Sequence, residues 1–196
     1  YPLHDWPLLD PTSAVGLQEI FSQAFIGILM GLLLQIINGA LVVAGQAMSA
    51  SMGLSMANMV DPSMGNVPVI SQFLLICSTL IFIGLGGHVL VIGLVAESFS
   101  ALPIAENMPV QALATFVIEW SAMIFLGAIL LGLPIMVSLL FINMGLGVIT
   151  RAAPALNIFA VGFPAMIIAG MLLLAMSMSS IGFRITWLWQ QAFDKL

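Results

Sequence analysis

The sequence predicts an all-α integral membrane protein of about four long, partly kinked helices with a Met-rich loop. Three observations carry this reading. Of 196 residues, 62% are hydrophobic and 6% charged, against about a quarter charged in ordinary globular chains. A chain of this length cannot hide so much apolar surface in its own core, so its solvent is lipid. Residues 20–60, 62–96, 120–150 and 152–183 contain no Asp, Glu, Lys or Arg, and each run exceeds the ~20 residues a helix needs to cross a bilayer. The runs are continuously apolar and lack the period-two alternation of a membrane β-barrel.

Tyr1 to Asp10 reads as an N-terminal loop, with no basic segment leading into an apolar one as in an intact signal peptide, and possible as a cut end. Asp10 is the expected N-cap of the first helix, with Pro11 at its first position and Glu19 ahead of the apolar run. That run is lipid-like from Ala24 to Ala44, then turns small, polar and Met-rich from Gly45 to Pro68. The charge-free block is too long for one straight crossing, so the first helix is expected to end near Ala44, with residues 45–68 forming a separate loop or re-entrant segment. Asp61-Pro62-Ser63 and Gly65-Asn66 mark a turn, and Pro68 opens a second helix running from about Val69 to Phe99. Residues 11–100 thus form one helical half and 101–109 a connection containing Pro103, Glu106 and Pro109.

Residues 110–183 read as an antiparallel helical hairpin, its tip marked by Arg151, Pro154 and Asn157. Gly132-Leu133-Pro134 interrupts one arm and Gly162-Phe163-Pro164 the other, at 17 and 13 residues from Arg151, which predicts kinks at similar depth. Paired interruptions mark a functional site, since freed carbonyls need partners other than lipid, or a hairpin curved around a neighbour. Residues 184–196 mix Trp187 and Trp189 with Arg184, Asp194 and Lys195, the composition of an interfacial tail.

Composition excludes several function classes. The formal charge is −5, with three Lys or Arg against eight Asp or Glu, so the basic footprint that holds nucleic acid is missing. Cys77 is the single cysteine, which removes intrachain disulfides and thiolate metal sites. His4 and His88 cannot supply a helix-borne metal pair, and no Gly-rich loop is followed by a phosphate-binding Lys, so neither catalysis nor a cofactor is expected.

The remaining candidates are two groups. His88, Glu97 and Glu119 lie in or near spans, where ionisable residues are costly; they are candidates for a proton path, or a packed His and two interfacial carboxylates. Met48, Met52, Met56 and Met59 recur at spacings of four, four and three, one face of a helix. Such a stripe serves packing, or, where hydrophobicity drops as it does here, a compliant plug that occludes a conduit at rest. Gly53, Asp61, Pro62 and Met64 complete that segment. Gln35 and Asn38 cannot face lipid cheaply and are expected to bond to another helix. Together with the interrupted helices they predict a subunit whose hairpins pack in a hetero-oligomer.

Three ordered motifs add a resemblance: MANMVDPSMGNVPVISQFL after Gly45, GGHVLVIGLVAESFSALP from Gly86, and GLGVITRAAPALNIFAVGFP from Gly145 to Pro164. Over about Val15 to Phe183 the chain resembles the FliR family of flagellar biosynthesis proteins, whose counterpart in virulence type III secretion is the SctT subunit. The resemblance implies an export-gate subunit in the bacterial inner membrane and flagellar basal body. It implies partners FliP and FliQ in a helical assembly, with FlhB and FlhA nearby and unfolded flagellar proteins passing through the centre. It gives residues 45–68 a plug-like role, makes 11–100 FliP-like and 110–183 FliQ-like, and implies further hydrophobic sequence before Tyr1. Gly86-Gly87 departs from the family, where an acidic residue often adjoins the His. A virulence injectisome homologue and a proton-coupled transporter using His88, Glu97 and Glu119 are the rival readings.

Overall fold

The computed structural model describes residues 10–54, 68–101, 110–152 and 158–195. Among them the chain is helical throughout: α1 (Ala14–Ser51), α2 (Val69–Gly84), α3 (Gly87–Ala101), α4 (Val110–Ala152) and α5 (Ile158–Lys195). Three helices are long and apolar enough to cross a membrane, and the bent pair α2–α3 raises the number to four if it counts as one span. This agrees with the all-α membrane class. At 1.5 Å per residue, the 38 residues of α1 extend ~57 Å and the 43 of α4 ~65 Å, about twice the ~30 Å hydrocarbon core.

The start of α1 differs from the sequence expectation. Ser13 is the N-cap, its Oγ accepting from Gly16 N at 3.0 Å. Asp10 instead builds the turn ahead of it, its carboxylate accepting from Thr12 N at 2.9 Å and Thr12 Oγ1 at 2.7 Å. Both residue types make good caps; Pro11 occupies the Asx turn rather than the first helical position. The end of α1 also lies further on, since the helix continues without interruption through Gly45 to Ser51. The small residues there reflect close packing: a Cβ on Gly45 would stand 2.5 Å from the Cα and Oγ of Ser71, and Ser71 Oγ donates to Val42 O at 3.0 Å.

The expected second helix is two. Leu85 N bonds Ile81 O at 2.9 Å and Gly86 N bonds Ile83 O at 3.0 Å, while Gly86 O receives Val89 N and Leu90 N. Gly86 adopts φ 72°, the left-handed conformation that ends a helix, and α3 leaves α2 at 68°.

The core lies where α1, α2, α4 and α5 meet. Leu33, Ile36, Ile37, Leu41, Ala44, Met48 and Met52 form the inward face of α1, at helical spacing. They pack on Leu131, Ile135 and Leu139 of α4, on Leu74 of α2 and on Ile185 and Leu188 of α5. Trp120 Nε1 donates to Leu33 O at 3.2 Å, and a Cβ on Gly127 would come within 2.9 Å of Ala40 Cβ. The residues from Arg184 onward, expected as a tail, continue α5 to Lys195 and bury Ile185, Leu188, Trp189 and Ala192. Trp189 packs with Phe82 at a ring separation of 4.7 Å.

Candidate functional site

The site is built where the C-terminal end of α1 meets the two interrupted arms. Met48 and Met52 are fully buried in the chain's own core, so these two sulfurs serve packing. Met52 lies over Gly170 of α5, where a Cβ would be 2.5 Å from Met52 Cγ and 2.8 Å from Sδ. Gly53 then turns the chain at φ 80° beneath the Phe163 ring, which a Cβ would meet at 3.3 Å. The base of the Met-rich segment is therefore seated on the Gly162-Phe163-Pro164 motif. Met56, Met59, Asp61, Pro62 and Met64 lie outside the described residues, as do Pro154 and Asn157 of the hairpin tip.

Neither proline ends its helix. Pro134 lies inside α4 and Pro164 near the start of α5, and both helices run on through them. Proline has no N–H to donate to the carbonyl four residues back, which for Pro134 is Leu130. That carbonyl accepts instead from Arg184 Nη1 of α5. One residue past Pro134's helical turn, Ser138 Oγ donates to Pro134 O at 2.8 Å. Gly132 and Gly162 are buried, Gly132 facing the backbone of Ala44. The prolines are not at similar depth. With Leu130 opposite Arg184 in an antiparallel pair, Pro134 is level with the Ser180 region, on the order of 20 Å from Pro164 along the axis. Counting from Arg151 failed because that residue still belongs to α4, so the 13 residues to Pro164 include those between Ala152 and the start of α5 at Ile158.

Arg151 is exposed in the last turn of α4, where a cation complements the helix dipole. His88, Glu97 and Glu119 are all exposed. His88 and Glu97, nine residues apart on α3, project from opposite faces and are separated by ~13 Å along the axis, so they do not converge. Gln35 and Asn38 bond to each other, Asn38 Nδ2 donating to Gln35 Oε1 at 3.2 Å, the reach of a three-residue helical spacing, and Gln35 is exposed on the outer side of α1. Among the described residues no group of His, Cys, Asp and Glu is placed to hold a metal ion.

An apolar cavity of about 230 Å³ between α1, α3 and α4 is lined by Ile26, Met30, Leu33, Leu94 and Phe116, with Glu97 and Lys195 on its wall. A wider one of about 510 Å³ opens between α1 and α4 at Val43, Ala47, Phe125 and Met136. The outer faces are strongly apolar: Phe21, Phe125, Phe141, Val148 and Phe183 are each more than two-thirds exposed.

Sequence reasoning missed Arg184 as part of the site. A lone base at the end of the charge-free run and a proline in the neighbouring arm were both legible, but the pairing that joins them was not.

The sequence matches a family model described as "Bacterial export proteins, family 1" over residues 2–193. It is 35% identical over 196 residues to the flagellar biosynthetic protein FliR of Pectobacterium carotovorum subsp. carotovorum, covering 100% of this chain and 74% of that protein. It is 34% identical over 182 residues to FliR of Escherichia coli K12, covering 92% and 68%, and 29% identical over 165 residues to FliR of Bacillus subtilis 168, covering 82% and 64%. A chain so apolar on its outer faces, matched nearly end to end, belongs to the FliR family of bacterial export proteins.

Proposed function

We propose that this chain is a non-enzymatic subunit of the flagellar type III protein-export gate, helping to form and seal the channel through which unfolded flagellar proteins leave the cell. The observation that carries the reading is unmet burial. In each of the three spanning helices no more than a third of the most apolar stretch is buried within the chain. Exposed apolar side chains run from Val15 to Val43 on α1 and from Ile118 to Ile149 on α4, roughly 40–45 Å at 1.5 Å per residue and so beyond the ~30 Å that lipid covers, which calls for neighbouring protein subunits. FliP and FliQ are the proposed neighbours in a helical hetero-oligomer, with FlhB and FlhA close by, in the inner membrane at the flagellar basal body. Residues 11–100 supply the FliP-like half and 110–183 the FliQ-like half.

In this reading the segment from Met48 to Met64 is divided between anchor and seal. Met48, Met52 and Gly53 fix its base on α5, and Met56, Met59, Asp61, Pro62 and Met64 close the passage. The opposed faces of His88 and Glu97 speak against a proton-relay transporter, and the flagellar relatives favour that branch over the injectisome.

The test is ion leakage through the assembled complex in a membrane. Replacing Met56, Met59 and Met64 together by Ala raises conductance, while Met52→Ala lowers thermal stability by the cavity cost of a buried Met, about 2–5 kcal/mol. Unchanged conductance in the triple variant sinks the sealing role.

A further inference from the structure

We infer that Arg184 is a positioning residue, supplying from α5 the hydrogen bond that Pro134 removes from α4. Three observations meet at this point. Pro134 sits inside a continuous helix and cannot donate to Leu130 O. Arg184 Nη1 donates to that same carbonyl. Gly127, one turn earlier on α4, lets α5 approach closely: a Cβ there would stand 3.2 Å from Leu188 Cδ2, one turn beyond Arg184. The two pairs, Gly127 with Leu188 and Leu130 with Arg184, advance in opposite senses along the chain, as an antiparallel helix pair requires.

The chemistry suits the place. In apolar surroundings an orphaned carbonyl finds no water, and a guanidinium forms a stronger, charge-assisted bond than a neutral donor. Arg184 thus supplies from another helix the single donor that the continuous α4 lacks at Pro134. Both arms are thereby held in one register at the interruption, ahead of the half of α4 from Ile135 to Ala152. Within the export-gate reading, on which this functional step rests, that half carries the hairpin tip into the assembly.

The experiment is a double-mutant cycle on the full-length protein within the complex that co-purifies with it. Arg184→Met, which keeps bulk without donors, lowers the melting midpoint of the complex by several degrees and secretion of a flagellar substrate at least tenfold. Arg184→Lys, which keeps a cationic donor, recovers the larger part of both. Pro134→Ala returns an N–H to Leu130 O, and in that background Arg184→Met changes the melting midpoint by less than half as much. Equal effects of Arg184→Met in the two backgrounds, or no difference between Met and Lys at position 184, overturn the inference. If Pro134→Ala prevents assembly, hydrogen exchange of the 135–139 amides decides: Arg184→Met speeds it and Arg184→Lys does not, and equal exchange in both overturns the inference. The stability cycle does not depend on the export reading. Coupling in stability without coupling in secretion leaves the hydrogen bond in place and removes its role in export.

Discussion

Trp189 Nε1 of α5 donates to Ser78 Oγ of α2 at 2.9 Å, with both residues buried. This bond crosses the core between two helices far apart in sequence, and with Phe82 and Phe193 packed around the indole it fixes how the last helix lies on the second.

Ser78→Ala leaves the indole N–H buried without a partner, which costs about 1–3 kcal/mol. Trp189→Phe in the Ser78→Ala background removes that orphan and recovers part of the loss. Thermal unfolding of the detergent-solubilised protein, followed by near-UV circular dichroism, reads both; a neutral Ser78→Ala contradicts the expectation.

Gly45→Ala forces α1 and α2 apart, because its Cβ would meet the Ser71 backbone at 2.5 Å. The expected cost is about 1–3 kcal/mol of overpacking. Gly31→Ala in the same helix has nothing within 4 Å and should gain up to about 1 kcal/mol from helix propensity. Opposite signs in the two variants, measured as melting midpoints, are the expected outcome.

Gly86→Ala places a Cβ on a residue at φ 72°, a strain of about 1–2 kcal/mol. Gly86→Asn is milder, since Asn tolerates the left-handed region. Spin labels on α2 and α3 should report a change in the 68° bend for Ala and little change for Asn.

The Thr12 hydroxyl and amide, both donating to Asp10, hold its exposed carboxyl below the usual carboxylate range. A group whose folded pKa is lowered stabilises the folded form above its ordinary value and loses that contribution as pH falls through the lowered one. Protection factors of the amides at residues 12–17, which divide out the intrinsic pH dependence of exchange, should therefore fall in acid, below the usual carboxylate range, and Asp10→Asn should abolish that dependence.

Much of this architecture was legible in the sequence. The charge-free runs mark the spans, and Pro68 stands directly ahead of α2 as expected. What escaped was local competition. Asp10 and Ser13 are both good caps, and only the backbone path chooses between them. Gly45, Ser49 and Ser51 look like a loop because small polar residues suit loops, yet they also suit the close crossing of α1 over α2. Gly86-Gly87 carried a break that a purely apolar reading overran. The role of Arg184 depends on a helix pairing that joins positions 54 residues apart, and no local pattern encodes that. Of the Met stripe, Met48 and Met52 follow the packing alternative.

The glycine joint between α2 and α3 makes the latter a lever. A 15-residue helix is ~22 Å long, so each 10° of rotation at Gly86 swings its far end by roughly 4 Å. Its main contact within the chain is with α2, while Val89, Ile92 and Val95 project unburied along it. A small change in the Gly86 backbone is therefore magnified along that arm and is largest toward Glu97 and the helix end.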